Sequence, residues 1–394
     1  MQQFDSFKKT EKEDEICQKS IIQPELRFPE FKDNWEKDSL GNLAKINKGF
    51  TPSTNNEKYW KDGTHKWLSI ADMKTKYLDK TTKRITEEGT KNKPPISKGK
   101  LVMSFKLSIG KLGILKEPMY TNEAIANFDW RNNNLDTEFM FYYLNSINIL
   151  KYGSQAAKGI TLNNETLSSI PVKFPSKKEQ EKIASFLIEI DKKIELLKIK
   201  YQHYRDIKKY LMQQIFTQEL RFPNNNSEWE WLNFEDIFKS VSTKKYQIKS
   251  TEINTTGAYE VIDQGQKDIA GYHNDESKLF KELPIIIFGD HTTIVKYRNK
   301  PFIVGADGVK LLSPKIDVDM KYMYYALNYF NIKTEGYKRH FSIIKKIDLP
   351  VPTLKEQNQI SSFFSAFDEK INFIQSQIEY MEEYKKGLLQ KMFI

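Results

Sequence analysis

The stretch Glu25-Leu26-Arg27-Phe28-Pro29 occurs again as Glu219-Leu220-Arg221-Phe222-Pro223, and Trp35-Glu36 returns as Trp229-Glu230. Both pairs are offset by 194 residues. A repeat that keeps its order and spacing indicates a structural unit that the chain builds more than once. The fold is therefore expected to contain two related halves.

A second repeat lies further along each half. Lys178-Glu179-Gln180 opens a segment that recurs from Lys355-Glu356-Gln357, and the matches that follow keep an offset of 177 residues. Because the two offsets differ, the stretch between the repeats is 17 residues shorter in the second half. No match is found inside that stretch, so the sequence separates a repeated framework from two divergent inserts.

Each half continues into a long predicted helix. Residues 177–216 contain neither Gly nor Pro, and the apolar residues alternate in steps of four and three, which indicates a heptad seam. The second helix repeats the seam, and Ser176 and Thr353 are the starting signals. The seam positions that we expect in the core of the helix pair are Ile183, Leu187, Ile190, Ile194, Leu197, Ile360, Phe364, Phe367, Ile371 and Ile374.

The repeat predicts how the helices pair. A twofold-like arrangement makes the two helices antiparallel. It also places residues 24–29 beside the second helix, in the position that the second Glu-Leu-Arg-Phe-Pro stretch takes directly after the first helix. Lys208 and Lys385 interrupt the seams at equivalent places, and we expect their ammonium groups to snorkel to solvent. A helix of about 40 residues is ~60 Å long, so the pair could fix the distance between two inserts. A plain dimerisation coil is the alternative.

Composition narrows the class of protein. The net charge of +10 favours a polyanionic partner such as nucleic acid, although a Lys- and Asn-rich composition can drift basic without function. Cys17 is the only cysteine, which excludes an internal disulfide and fits a reducing, cytoplasmic location. Apolar stretches such as Pro284–Phe288 are too short to cross a membrane.

These patterns predict an α+β protein with two globular domains, a pseudo-twofold internal repeat and two long helices packed as an antiparallel coiled coil. The predicted segments are a charged extension without fixed structure at 1–23, a first domain at 24–175, a first helix at 176–216, a linker at 217–228, a second domain at 229–352 and a second helix at 353–394.

The two inserts carry polar loops suited to duplex DNA. Hydroxyl and Lys side chains bind phosphates, whereas Asn, Gln, Arg and His pair with base edges. From loop context we predict DNA contacts at Lys48, Thr51, Ser53, Thr54, Tyr59, Trp60, Lys66, Ser69, Lys106, Lys158, Lys244, Lys245, Gln264, Gln266, Asp290, His291, Thr292, Lys296, Lys310, Arg339 and His340.

Patterns typical of an enzyme are missing from the sequence. Asp290-His291 has no second acid, metal ligand or nucleophile at a recognisable spacing. Lys93-Pro94-Pro95-Ile96 lacks the leading Asn or Asp and the trailing aromatic of an amino-methyltransferase, and Glu383-Tyr384-Lys385 lies on a predicted helix, unlike a nuclease motif. No Gly-rich phosphate or adenosyl loop occurs. We expect no catalytic residue, no metal site and no cofactor in this chain.

The repeated Glu-Leu-Arg-Phe-Pro stretch with its following Trp, the Ile170-Pro171-Val172 junction and its copy at Leu349–Pro352, and the paired helices resemble specificity subunits of type I restriction-modification systems. The resemblance implies two target-recognition domains that each read half of a bipartite sequence in double-stranded DNA. It also implies docking of two methyltransferase subunits and of restriction subunits, which would bring S-adenosylmethionine, ATP and Mg²⁺.

Two other classes of protein stay open on the residues alone. One is a coiled-coil scaffold whose basic patches serve protein or RNA partners, and the other is a self-sufficient DNA-modifying enzyme. Salt-sensitive binding to one particular duplex, only together with a methyltransferase, would distinguish a DNA specificity subunit from the scaffold. Methyl transfer by the purified chain alone would favour the enzyme.

Overall fold

The computed structural model describes residues 23–106, 108–156, 159–334, 336 and 338–393. The predicted charged extension, apart from Gln23, lies outside these residues. The chain forms two compact units. Unit 1 takes the residues up to Leu196 together with those from Ile378 onward, and unit 2 is Leu197–Gln377.

Unit 1 combines short strands with helices. Its strands are β1 Glu36–Ser39, β2 Ala44–Lys48, β3 His65–Leu68, β4 Tyr77–Leu78, β5 Lys83–Ile85, β6 Leu101–Ser104, β7 Leu112–Leu115, β8 Tyr120–Thr121, β9 Ile125–Trp130, β10 Ser154–Ala156, β11 Gly159–Thr161 and β12 Pro171–Phe174. Its short helices are α1 Leu40–Leu43, α2 Thr137–Ser146 and α3 Asn164–Ser168. The long helix α4 is Lys177–Phe216, and its residues from Leu197 onward belong to unit 2. Helix α2 ends at Ser146, and a 3₁₀ turn follows at Ile149–Tyr152.

Unit 2 has the same kind of composition. Its strands are β13 Glu230–Asn233, β14 Phe238–Val241, β15 Gln247–Ile248, β16 Tyr259–Ile262, β17 Gly271–His273, β18 Leu279–Phe280, β19 Ile285–Gly289, β20 Val295–Arg298, β21 Phe302–Gly305, β22 Val309–Pro314 and β23 Asp348–Val351. Its short helices are α5 Phe234–Ile237, α6 Met320–Tyr329 and α7 Phe341–Ile344. The long helix α8 is Leu354–Met392, and its residues from Ile378 onward belong to unit 1.

The two inserts share a strand order that their sequences conceal. In unit 1 the sheet order β2-β9-β6-β7 corresponds to β14-β22-β19-β20 in unit 2, and β5-β3-β8 corresponds to β17-β16-β21. The registers agree as well, because Ala44 pairs with Trp130 where Phe238 pairs with Pro314. The inserts therefore diverge in sequence and keep one topology.

The long helices pack as antiparallel neighbours within each unit. In unit 1 the early part of α4 shares a core with Leu388 and Met392 of α8, and in unit 2 the last turns of α4 share a core with Ile360 and Phe364. Eight of the predicted seam positions are buried and the other two, Leu197 and Phe367, are half-buried. The α+β prediction with paired long helices is confirmed.

The two seam lysines form ion pairs, which corrects the expectation that they snorkel. Lys385 Nζ lies 2.5 Å from Asp191 Oδ1, and Lys208 pairs with Asp368. In each unit the second carboxylate oxygen accepts a tyrosine hydroxyl: Tyr142 donates to Asp191 at 2.6 Å, and Tyr325 donates to Asp368 at 2.7 Å. The lysine therefore joins one long helix to the other, and the tyrosine joins α2 or α6 to the same carboxylate.

The repeated Arg, Trp and Glu form one clamp in each unit. Arg27 and Trp35 donate to the buried carboxylate of Glu179 at the start of α4. Arg221 and Trp229 donate to Glu356 at the start of α8 in the same way. One hydrogen-bonded group thus explains why Arg, Trp and Glu occur at equivalent positions in both halves.

The Glu-Leu-Arg-Phe-Pro stretch of each unit contacts the end of a long helix in the same way. In unit 2, Leu220 N donates to Gln214 O at 2.9 Å along a continuous chain, and in unit 1, Leu26 N donates to Lys391 O at 2.9 Å. Lys391 Nζ also lies 2.7 Å from Glu25 Oε1. The expectation that residues 24–29 lie beside the second helix is confirmed.

Candidate nucleic-acid interface

Some of the predicted contact residues, such as Ser69 and Gln264, lie in loops at one sheet edge of each unit. In unit 1, β3 and β8 run parallel, so their carboxyl ends meet at that edge. In unit 2, β15 and β16 both run parallel to β21 and meet in the same way. The loops that follow these strands, together with the hairpin between β6 and β7 or between β19 and β20, form the candidate interface.

In unit 1 the loop after β2 is tied to the loop after β8. The Thr51 hydroxyl donates to Glu123 and accepts from Asn122 Nδ2 at 3.1 Å. Gly49 packs so closely that an added Cβ would lie 2.1 Å from Thr121 O, so only glycine fits there. This part of the edge is held by its own hydrogen bonds.

Several other predicted residues of unit 1 also have internal partners. Trp60 Nε1 donates to Ser53 O at 3.0 Å, and Lys66 pairs with Glu117. The Ser69 hydroxyl donates to Asp72 at 2.7 Å. Burial tends to raise the pKa of Asp72, but the hydrogen bonds from Thr82 and Ser69 outweigh it and lower that pKa. These side chains shape the loops.

The remaining predicted residues of unit 1 are more open. Ser53, Thr54 and Lys106 are exposed, and Tyr59 is half-buried. Lys48 and Lys106 place their ammonium groups 5.2 and 5.8 Å from the ring centre of Phe105. Lys158 lies outside the described residues. Their contacts with DNA stay a prediction.

In unit 2, Gln264 connects three loops. Its Nε2 donates to Asp307 O at 2.9 Å, its Oε1 accepts from His291 N at 3.0 Å, and its backbone oxygen accepts the Thr292 hydroxyl at 2.6 Å. A Cβ on Gly308 would lie 2.4 Å from Gln264 Nε2. Gln264 therefore positions the loops. Asp307 was not predicted as part of this edge, because its partners come from distant parts of the chain.

Three predicted surface residues are buried, which corrects their assignment to a DNA-facing surface. Asp290 accepts Phe341 N at 2.9 Å and His340 N at 2.8 Å, and His340 itself is fully buried. Lys296 Nζ donates to Asp263 O at 2.8 Å and Lys267 O at 2.6 Å, and its burial lowers its pKa. Residue type alone did not distinguish these internal supports from surface groups.

The other predicted residues of unit 2 stay accessible. Lys244, Lys245, Gln266 and Arg339 are exposed. Half-buried positions are His291, Thr292 and Lys310. Lys310 lies 3.9 Å from the buried Asp290 carboxylate, so part of its charge is compensated.

Among the described residues, no cluster of His, Cys, Asp and Glu side chains could hold a metal ion. None of the described helices combines the length and the apolar character that a membrane span requires.

The structure defines a class of protein in which a helical framework occurs twice and carries two inserts. The inserts share a topology and differ in the polar side chains of the loops at the same sheet edge. The model of the family described as type I restriction modification DNA specificity domain matches residues 32–203 and again 226–383. The chain belongs to this family.

Known proteins of the same kind resemble the chain in sequence and in fold. It is 26% identical over 170 residues to the type I restriction enzyme MjaIX specificity subunit of Methanocaldococcus jannaschii, covering 41% of this chain and 39% of that protein. It is 27% identical over 181 residues to a putative type I specificity subunit of Mycoplasma genitalium, covering 43% and 46%. The chain thus matches less than half the length of these two relatives.

A solved structure shows that the fold is shared. The type I restriction-modification S subunit from M. genitalium superposes with a TM-score of 0.64 at 18% identity, over 95% of this chain and 99% of that one.

Proposed function

We propose that this chain selects the DNA sequence for a type I restriction-modification complex and catalyses no reaction itself. Each insert would read one half of a bipartite site in double-stranded DNA. The observation that carries the proposal is the pair of equivalent loop edges, which share one topology and differ in side chains. Two such edges on one framework suit a split, asymmetric target.

The chemistry of the edges supports a division of labour. Exposed lysines and hydroxyls would bind phosphates and set affinity, whereas side chains in the hairpin and strand-end loops would contact base edges. The internal hydrogen bonds at Thr51 and Gln264 would keep these loops in one conformation before DNA arrives. Pre-organised loops lose less conformational entropy on binding.

The partners belong to the same proposal. Two methyltransferase subunits would supply S-adenosylmethionine chemistry on adenine, and restriction subunits would supply ATP- and Mg²⁺-dependent cleavage. The complex would act in the cytoplasm, where the DNA is. The framework of long helices and Arg-Trp-Glu clamps would keep the two inserts in place on this complex.

Mapping methylated adenines in cells with and without this chain tests the proposal. We expect one bipartite motif to lose methylation when the chain is deleted. A chain whose residues 229–352 come from a relative should change one half of the motif and leave the other half intact. Methylation that is identical in all three strains would refute the proposed function.

A further inference from the structure

The loop that follows β3 leads from the candidate interface of unit 1 towards the long helices. It lies between β3 and β5 and includes the short strand β4. Ser69 N and the Ser69 hydroxyl donate to Asp72 Oδ2 at 3.0 and 2.7 Å, and Thr82 N donates to Asp72 Oδ1 at 3.1 Å. Asp72 therefore joins the first and the last residue of the loop. The middle of the loop is held by Lys76.

Lys76 is enclosed by aromatic rings and a carboxylate. Its Nζ lies 2.6 Å from Glu138 Oε2 and donates to the Tyr142 hydroxyl at 2.9 Å. The same ammonium group lies 4.1 Å from the ring centre of Tyr142 and 5.1 Å from those of Tyr77 and Phe141. Only 13% of the Lys76 side chain is exposed, and this burial lowers the pKa of Lys76. A buried charge is costly unless it is paired, so the ring faces and the carboxylate are what keep the ammonium group here.

The contacts of Lys76 continue into both long helices. Tyr142 of α2 donates to Asp191 Oδ2 of α4 at 2.6 Å, and Asp191 Oδ1 lies 2.5 Å from Lys385 Nζ of α8. Ile114 N of β7 donates to Lys76 O at 2.7 Å. One residue of the loop is therefore connected to β7, to α2 and, through a tyrosine hydroxyl, to the helix pair.

Unit 2 holds the corresponding loop in another way. This loop lies between β16 and β17, which correspond to β3 and β5. Lys296 and Arg298 of β20 donate to its backbone oxygens. Glu138 is the second residue of α2, and the second residue of α6 is Lys321, which cannot pair with an ammonium group. The two loops are thus anchored by different chemistry, to the helix pair in unit 1 and to a neighbouring strand in unit 2.

We propose that Lys76 is a positioning residue for the first half-site, an inference that rests on the proposed function. Lys76 acts through the loop and does not touch DNA itself. By fixing the loop to the helix pair, it keeps Ser69 and its neighbours at one distance from the base pairs. A recognition group has to be held within about 0.5 Å of its productive position. Lys76 therefore determines how strictly the first insert rejects a wrong base pair.

The test uses the full chain in complex with its methyltransferase partner. Lys76→Met removes the charge and keeps the length of the side chain, whereas Lys76→Arg keeps the charge. Lys116→Met is the matched control, because Lys116 is exposed and its ammonium group also lies over the Tyr77 ring, 4.4 Å from the ring centre. Both Met variants lose one positive charge, so any loss of general attraction to DNA is shared by the two.

Methylation rates are measured on the correct duplex and on duplexes that carry one wrong base pair in either half of the motif. The exchange of residues 229–352 identifies the half that the first insert reads. We expect Lys76→Met to weaken discrimination in that half on the order of tenfold, which is within the range that one mismatch is worth. Discrimination in the other half should be unchanged. Lys76→Arg should keep most of the discrimination, and Lys116→Met should behave like the unmodified chain.

Equal weakening in both halves would overturn the inference, because Lys76 would then act on the chain as a whole. Unchanged discrimination in the first half would overturn it as well. If Lys76→Met does not fold, Lys76→Met/Glu138→Gln takes its place, since this variant leaves no unpaired carboxylate. Failure of both to fold would make Lys76 a residue of stability alone and so overturn the inference. A lack of motif-specific methylation by the unmodified chain would instead refute the proposed function.

Discussion

Arg27 Nε and Nη2 each lie 2.7 Å from an oxygen of Glu179, so the pair is bidentate across 152 positions of sequence. Only 1% of the Glu179 side chain is exposed. The hydrogen bond to Glu179 is the main cause that raises the pKa of Arg27, whose charge is therefore stabilised by the clamp. The clamp fixes the segment before β1 to the first turn of α4.

Arg27→Ala should lower the free energy of unfolding of unit 1 by about 3–5 kcal/mol, because it leaves a buried carboxylate without its counter-charge. Urea unfolding of the full chain measures the change. Lys182→Ala is the control, since Lys182 forms an exposed ion pair with Glu30 in the same region and should matter little. Equal effects of the two substitutions would contradict a special role for the clamp.

Stability should fall in alkaline solution partly through Tyr324. Burial, followed by the nearby Asp368 carboxylate, raises the pKa of Tyr324 to about 12, against about 10 for a free tyrosine. The unfolded phenol ionises first, so the contribution is complete below about pH 10 and is lost as the pH rises through the folded pKa.

Tyr324→Phe should therefore flatten the pH dependence between these two values, by on the order of 2 kcal/mol. Chemical unfolding at a series of alkaline pH values measures it. Tyr380→Phe provides the matched control, because Tyr380 is exposed. The idea is wrong if both phenylalanine variants keep the full slope.

Asp290 and Lys106 should behave differently although both were predicted as contact residues. Asp290→Ala removes the acceptor of Phe341 N inside unit 2, so we expect a loss of about 1–3 kcal/mol of stability. Lys106→Ala removes an exposed side chain and should change stability by less than about 0.5 kcal/mol. Thermal unfolding distinguishes them, and an unaffected Asp290→Ala variant would restore Asp290 as a surface candidate.

Gly387 lies inside helix α8, where glycine is unfavourable. A Cβ at this position would meet nothing within 4 Å, so Gly387→Ala is free of steric cost. Because glycine is a poor helix former, the substitution should raise the free energy of unfolding by about 0.5–1 kcal/mol. Gly113→Ala is the opposite control, since its Cβ would lie 2.4 Å from Leu78 Cδ1. Urea unfolding measures both variants, and a Gly387→Ala variant less stable than the unmodified chain would contradict the expectation.

The long helices offer a test of half-site spacing. Removing one matched heptad from both α4 and α8 shortens each helix by about 10 Å, roughly three base pairs at about 3.4 Å each. We expect the unread gap of the methylated motif to shrink accordingly. Sequencing of methylated adenines reads out the gap, and an unchanged gap would exclude the helices as its determinant.

The framework could be predicted from sequence because its signals are local or repeated. The heptad seam and the starting residue Ser176 gave α4 its bounds, and the duplicated Arg27 and Arg221 marked equivalent positions. The inserts were different, since their common topology depends on strand pairings between divergent residues. A pairing such as Ala44 with Trp130 has no sequence signature.

The site was harder to predict than the fold because residue type does not reveal burial. Lys296 and Lys244 look alike in sequence, yet one donates to backbone carbonyls inside unit 2 and the other lines an open cavity. Lys208 was misjudged because its partner Asp368 lies 160 positions away.

The hydrogen bond from Leu26 N to Lys391 O has a consequence for the order of folding during synthesis. Unit 2 is one uninterrupted stretch, so the ribosome delivers all of it before the last turns of α8 appear. Unit 1 needs those turns for its core, although it contains the earlier residues. We therefore expect unit 2 to complete its core before unit 1 does, which is the reverse of the usual order in which the earlier domain folds first.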